Sequence, residues 1–276
     1  IRIIKNENGL IQNGISCLME DKEGNIWLGM FGKGIDILNE KSGKILHLDS
    51  STGLQNNKLR NMKQNENGDV WVGTEGGVEI INLKEGRISH FNASNGLNTG
   101  TRVTRIVFDK LNHAWISTWG AGVEVYDPKE QTIKHLNTSK GLGNDQVGSL
   151  FLDANGQIWM GTYAGEINIY NPQAGNMQHL TAAQGLNNKS TWYYSFLEDA
   201  QGRKWIGSLG QGIDILDEKK GTLQHISRDD GLNNNSINQL FPDAKGRIWV
   251  GTGSGMNLID DSKGTIKSWN SGSVLD

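Results

Sequence analysis

Six histidines are the residues of this 276-residue chain best suited to moving a proton or holding a metal ion. Five of them, His47, His90, His135, His179 and His225, stand at the same place in successive copies of one sequence pattern, and only His113 falls elsewhere. A catalytic pair is single and convergent, so histidines in register mark a structural habit. No two of them have zinc-ligand spacing in a suitable context, and no metal or cofactor is expected. A second group is aromatic. The slot right after each Trp-x-Gly-Thr stretch reads Phe31, Glu75, Trp119, Tyr163, Leu209 and Gly253, while the slots around it hardly change. Three aromatic rings and a carboxylate on one side would suit sugar rings, which stack on aromatic faces and bond to nearby polar groups. The fifth copy adds Trp192, Tyr193 and Tyr194 in a longer connection, and Arg60, Arg102 and Arg105 stand at or just before the corresponding strands of the second and third copies.

These residues have to be positioned by a repeat. Trp27, Trp71, Trp115, Trp159, Trp205 and Trp249 follow one another at spacings of 44, 44, 44, 46 and 44. A period in that range signals a propeller, solenoid or array. Each copy opens with a Gly-Leu pair, such as Gly9-Leu10 or Gly231-Leu232, and an Asn-rich loop. A short apolar strand A follows: Ile15 to Glu20, Leu59 to Gln64, Val103 to Phe108, Val147 to Leu152, Tyr193 to Glu198 and Ile237 to Pro242. A turn opening with Asp or Asn and closing with Gly, once with Asn112, predicts a hairpin. It leads into strand B with the Trp, whose fixed place in every copy reads as packing between neighbouring sheets. Strand C alternates strictly, as in Gly122-Val123-Glu124-Val125, and strand D closes the copy. The expected fold is all-β: one β-propeller domain of four-stranded antiparallel blades at about 10–48, 54–91, 97–136, 142–180, 186–226 and 232–269. Ile1 to Ile4 reads as a further strand D, completing a neighbouring blade or the last one. With strand A innermost, the D-to-A and B-to-C loops share one face, so the variable slot surrounds one mouth of the channel.

Composition narrows the function. Net charge is −3 with no long basic run, which disfavours a nucleic-acid partner. The single Cys17 excludes an internal disulfide framework. No apolar run reaches the roughly 18 residues of a membrane span, so no membrane contact is expected within this stretch. With 37 glycines and 3 prolines, the turns are built from Gly, Asn and Asp.

The wording of the repeat, GL-x-x-N followed by D-x-x-G-x-I-W-x-G-T-x-G-G, resembles the two-component regulator propeller family over essentially the whole chain. Met30 and Ser208 depart from it by replacing the Thr. The resemblance implies the extracytoplasmic or periplasmic sensor region of a hybrid histidine kinase, without catalysis of its own. It also implies a glycan ligand, adjacent domains of a longer receptor and a second receptor chain as partners, and rings of seven blades; an incomplete or excised seven-bladed propeller is therefore the alternative to six. On this reading Phe31, Glu75, Trp119, Tyr163, Arg60, Arg102, Arg105, Trp192 and Tyr194 form the binding rim, and the six repeated tryptophans are structural. A protein-interaction scaffold is the competing function. A sialidase-like enzyme would need three arginines around a carboxylate and a Tyr nucleophile, for which Arg60, Arg102 and Arg105 with Glu75 or Tyr194 are the one close set. A streptogramin-lyase-like enzyme would need a convergent His and Glu, against which the in-register histidines argue.

Overall fold

The computed structural model describes residues 9–12, 14–98, 102–163, 165–187 and 192–270, so the strand expected at Ile1 to Ile4 lies outside the described residues. Among the described residues, twenty-four strands form six antiparallel sheets, each using four consecutive strands in chain order. They are the blades of a β-propeller. The first blade is β1 (Cys17–Glu20), β2 (Asn25–Met30), β3 (Gly34–Asn39) and β4 (Ile45–Leu48), and the second is β5 (Leu59–Gln64), β6 (Val70–Thr74), β7 (Gly77–Asn82) and β8 (Arg87–Phe91). The third comprises β9 (Val103–Phe108), β10 (Ala114–Thr118), β11 (Val123–Asp127) and β12 (Thr132–Leu136). The fourth comprises β13 (Val147–Leu152), β14 (Ile158–Thr162), β15 (Ile167–Asn171) and β16 (Asn176–Leu180). The fifth is β17 (Tyr193–Glu198), β18 (Lys204–Ser208), β19 (Gly212–Asp217) and β20 (Thr222–Ile226), and the sixth is β21 (Ile237–Pro242), β22 (Ile248–Thr252), β23 (Gly255–Asp260) and β24 (Thr265–Asn270). Two compact units, residues 1–137 and 138–276, hold three blades each.

One strand differs from its expected bounds. β1 begins at Cys17, two residues later than the repeat predicts. Ser16 still ties to Gly29, through both its backbone N–H and its hydroxyl, but Ile15 stands exposed without ladder pairing. In the other blades the first strand carries a bulge: Leu59 pairs with Thr74 and Asn61 with Gly73, leaving Arg60 as the extra residue. The same slip recurs at β13, β17 and β21. A bulge re-aims the extra side chain, which is how Arg60 leaves the plane of its sheet.

Neighbouring blades in each unit lock through the Trp strand. In the first unit Trp27, Ile35 and Ile37 pack against Leu59, Met62, Val70 and Val72 of the next blade, and Trp71 and Val78 against Val103, Ile106 and Ile116. In the second unit Trp205, Ile213 and Ile215 pack against Ile237, Leu240 and Val250. Removing about 200 Å² of indole from water is worth on the order of 4–5 kcal/mol before the entropy of ordering it. The Gly of Trp-x-Gly serves this contact: a Cβ at Gly73 would lie 2.6 Å from Val103 Cγ1, and one at Gly207 2.6 Å from Ile237 Cγ2. The Gly that opens the third strand has a different reason. Gly122 has φ of +79° and a Cβ there would sit 2.1 Å from the Leu136 carbonyl oxygen, so no other residue fits.

Candidate functional site

Three side-chain constellations recur, and separating them isolates the candidate site. The first sits in the turn before each Trp. The Asp21 carboxylate accepts the backbone N–H groups of Glu23 at 3.0 Å and Asn25 at 2.8 Å, and the Trp27 indole N–H at 2.8 Å. The six-residue spacing from Asp to Trp places the indole back over the turn that the same carboxylate nucleates. Asp109 holds Trp115 at 3.0 Å, Asp153 holds Trp159 at 3.1 Å and Asp199 holds Trp205 at 2.8 Å. Against the upward push of burial, the Trp27 and Asn25 hydrogen bonds hold the Asp21 carboxyl below the usual range, and Trp205 and Arg203 do the same for Asp199. Two copies depart. In the second blade Asn65 replaces Asp and the buried Trp71 Nε1 has no acceptor among the described residues. In the sixth, Asp243 accepts from Arg247 Nε at 2.7 Å instead.

The second constellation absorbs the five in-register histidines. Each faces, across the third and fourth strands, a buried side chain: Asp36 opposite His47, Glu79 opposite His90, Glu124 opposite His135, Asn168 opposite His179 and Asp214 opposite His225. His47 Nδ1 lies 2.5 Å from Asp36 Oδ1, His90 Nδ1 2.5 Å from Glu79 Oε2, and His225 Nδ1 3.0 Å from Asp214 Oδ1; His135 bonds Glu124. The other carboxylate oxygen binds the loop after the Gly-Leu pair, as in Ile11 N–H to Asp36 at 2.8 Å and Asn187 N–H to Asp214 at 3.2 Å. Burial pushes the Glu124 and Asp214 carboxyls up from their usual values, with the histidines opposing. Where Asn168 takes the acid's place, His179 turns to Glu166 at 3.7 Å. The pairs staple each loop to its blade. The sequence showed the histidines in register but not their partners, 11 positions earlier. His113, out of register, bridges Asp109 at 2.9 Å and Asp127 at 3.3 Å.

The third constellation is the variable slot, and its backbone is fixed. The slot N–H donates to the carbonyl just ahead of the first strand: Trp119 to Arg102 at 2.9 Å, Tyr163 to Gln146 at 3.0 Å, Leu209 to Trp192 at 2.9 Å and Gly253 to Ser236 at 2.9 Å. Glu75 donates to Lys58 at 3.2 Å, and Phe31 bridges to Lys58. With its main chain satisfied, the slot leaves the side chain free to differ. In the first unit the Arg60 guanidinium lies 4.9 Å from the centre of the exposed Phe31 ring and bonds Glu75 at 2.6 Å, while Lys58 reaches Glu75 at 3.2 Å. The Arg60 bond, ahead of the Lys58 contact, holds the Glu75 carboxyl below its usual range. Arg102 stacks on Trp119 at 4.9 Å. Cations stacked on rings in this way are worth about 0.5–1 kcal/mol at exposed sites. In the second unit Tyr163 meets Trp192 edge to face at 4.8 Å.

The structure therefore joins Phe31, Arg60 and Glu75 into one cluster, Arg102 and Trp119 into a second, and Tyr163 and Trp192 into a third. Lys58 belongs with the first and was not singled out from sequence; its signal is its place two residues before Arg60. Arg105 joins none of them. It is half-buried on β9 facing Cys17 of β1, and burial pushes its guanidinium down from the usual range and the Cys17 thiol up. The side chain of Tyr194 lies outside the described residues.

The pattern of the family described as "Two component regulator propeller" matches residues 9–32, 141–164 and 231–254. Each matched stretch runs from the Gly-Leu pair through the Trp-x-Gly strand of one copy. No curated protein matches the chain by sequence. Among solved structures, the chain is similar to one named as the extracellular domain of a hybrid two-component system, BT3049, of B. thetaiotaomicron: TM-score 0.83, 24% identity, covering 96% of this chain and 35% of that one. It is similar to PorZ, a surface component of the type-IX secretion system of Porphyromonas gingivalis, with TM-score 0.71 and 16% identity over 96% of this chain and 43% of that one. Virginiamycin B lyase of Staphylococcus aureus is similar at TM-score 0.75 and 13% identity, over 93% of this chain and 84% of that one. At these identities the likeness is one of fold. The chain spans about a third of the length of the two-component ectodomain it matches.

Proposed function

We propose that this chain is a recognition region of an extracytoplasmic two-component sensor, that it carries out no catalysis, and that its ligand is an oligosaccharide bearing carboxylates, bound over the Phe31–Arg60–Glu75 and Arg102–Trp119 clusters. The observation that carries the reading is the variable slot: in the second to sixth blades its N–H donates to the carbonyl just ahead of the first strand, yet its side chain changes from ring to carboxylate. The regulator propeller repeat and the fold shared with a two-component ectodomain support the receptor setting. The charge around the first unit's slots supports the acidic sugar, since Lys58, Arg60 and Arg102 outnumber Glu75, and each ring has a guanidinium on it. Each of the five in-register histidines pairs with an acid of its own blade, a repeated staple that supports the non-catalytic reading over a lyase, which would need a single convergent His and Glu.

Titration of the chain with uronate-bearing and neutral oligosaccharides, read by tryptophan fluorescence, tests the proposal. Quenching by the acidic set is expected in the wild type, with loss in Trp119→Ala and a fall of roughly tenfold or more in affinity for Arg60→Ala. Retention of the response in both variants moves the site elsewhere. Silence toward every saccharide, together with capture of a second receptor chain, would favour the interaction scaffold, and turnover of any glycan would overturn the non-catalytic reading.

A further inference from the structure

The slot of one blade lies beside the residue just ahead of the first strand of the next. Phe31 bridges to Lys58 and Leu209 to Ser236, and the Tyr163 ring meets the Trp192 ring at 4.8 Å. Glu75 and Arg102 stand 44 residues on from Phe31 and Lys58, so the repeat makes them such a pair. An acid and a base at adjoining positions nevertheless do not join here. Glu75 turns to its own blade, where Arg60 Nη2 binds its Oε1 at 2.6 Å and Lys58 its Oε2 at 3.2 Å. Arg102 lies on the Trp119 ring, 4.9 Å from its centre, and among the described residues no carboxylate comes within ion-pair distance of it.

The three cations of the first unit's slots are therefore unequal. Lys58 and Arg60 share one carboxylate, which spends an oxygen on each, and the Arg60 Nε is enclosed away from solvent. The Arg60 bond favours the charged form of Glu75 and holds its carboxyl below the usual range. Arg102 is half-buried, with a ring against its guanidinium and no anion on it. A guanidinium binds a carboxylate through two parallel N–H bonds, and a carboxylate arriving at Arg102 displaces no acid of the protein. One arriving at Arg60 meets Glu75 already in place, and like charge set against like charge is a means of rejecting a ligand.

We propose that this site reads one anionic group, a carboxylate held by Arg102, and that Glu75 fills the place of a second. The ligand is then an oligosaccharide whose uronate is flanked by uncharged sugars, not a run of uronates. The inference rests on the acidic-oligosaccharide reading of the same clusters and narrows it. A carboxylate has more lone pairs than two cations use, so an uncharged sugar beside the uronate finds in Glu75 an acceptor for its hydroxyls. A second carboxylate at that point finds repulsion. Arg102 thus confers the preference for charge, and Glu75 limits it to one.

Calorimetric titration of the 276-residue chain with tetrasaccharides of equal length tests the proposal. One probe is all uronate, one carries a single uronate among neutral hexoses, and the last is that second probe with its carboxyl reduced to an alcohol. The single-uronate form is expected to bind at least as tightly as the all-uronate form and roughly tenfold more tightly than the reduced one, as a bidentate charged contact supplies. Arg102→Ala should remove that tenfold and leave affinity for the reduced form as it is. Glu75→Gln should raise affinity for the all-uronate form roughly tenfold more than for the single-uronate form. Tighter binding of the all-uronate form by the wild type overturns the proposal. An unchanged ratio in Glu75→Gln does so too, as does an Arg102→Ala variant that weakens the single-uronate and reduced forms alike. Those results leave the acidic-oligosaccharide reading standing, whereas binding of none of the probes defeats that reading and the inference together.

Discussion

The two turns that flank each Trp-bearing strand differ in how far they repeat their residue types. In the turn before it, side chains hold the backbone: Asp21 satisfies two main-chain N–H groups and the Trp27 indole with one carboxylate. In the turn after it, the hydroxyl of Thr74, Thr118, Thr162, Ser208 or Thr252 donates to a carbonyl across the turn, and backbone bonds such as Trp119 N–H to the Arg102 carbonyl fix the slot that follows, where the residue type changes from copy to copy. The first turn repeats its residue types throughout, while the second repeats its Thr or Ser, with Met30 in the first blade, and its Gly, but not the slot between them. Repetition marks the parts that build blades, and under the proposed function the divergent slot is the part left for recognition.

The sharpest way to break this contrast is to remove one carboxylate from the first kind of turn. Asp21→Ala strands the buried Trp27 N–H and two backbone donors, and a loss of about 3 kcal/mol is expected in urea unfolding. A loss below about 1 kcal/mol would show that the carboxylate does not organise the turn.

The pH dependence sharpens it further. Asp21 and Asp199 are held below the usual carboxyl range, so between that depressed value and about pH 4 the unfolded chain binds more protons than the folded one. Their contribution is present above about pH 4 and fades as pH falls through the depressed range. The deficit of Asp199→Ala against wild type should accordingly shrink in acid. Asp214 has the opposite sign: burial raises it, so the folded chain binds more protons and the cost of its charge grows as pH rises from the usual value through the raised one. Asp214→Asn should lessen the decline of stability with rising pH in that window. A variant whose unfolding midpoint tracks wild type across both windows would contradict the assignment.

A smaller, stabilising effect is expected where the clamp is incomplete. The pair Asn65→Asp with Asp69→Asn copies the Asp21 and Asn25 arrangement into the second blade, giving the unpaired Trp71 Nε1 an acceptor. A gain of about 1 kcal/mol in urea unfolding is expected. The least effect on stability belongs to the second kind of turn. Glu75→Gln disrupts half-buried ion pairs to Arg60 and Lys58 at the surface and should change stability by about 1 kcal/mol or less. Under the proposed function the same change frees both cations and tightens binding of an acidic oligosaccharide, measured by the same fluorescence titration.

Much of this was legible in the sequence because it is local or periodic. An Asp or Asn opening each turn, a Gly or Asn112 closing it at positive φ, and a Trp six residues after the first announce a hairpin wherever they recur, and they did so in all six blades. The acid–histidine staples were not legible: Asp36 meets His47 across a strand pair and Ile11 from a loop 25 residues away, and neither separation has a local signature. The bulge at Arg60 was hidden for a similar reason, since one extra residue in a short strand leaves the apolar pattern intact while turning the side chain aside.

By itself, then, the sequence determined the blade: its four strands, its turns and its Trp, each dictated by periodicity and by residues whose backbone preferences admit little choice. Tertiary structure decided which slots became a cluster and which faces stayed bare. Phe31 and Glu75 stand 44 residues apart, and they share Arg60 only because packing the second blade on the first brings β5 beside the slot. Leu18 and Met62 stand at the same place in the period, yet Leu18 is 66% and Met62 4% exposed, because burial depends on what lies opposite a side chain, and that is a property of the assembled blades.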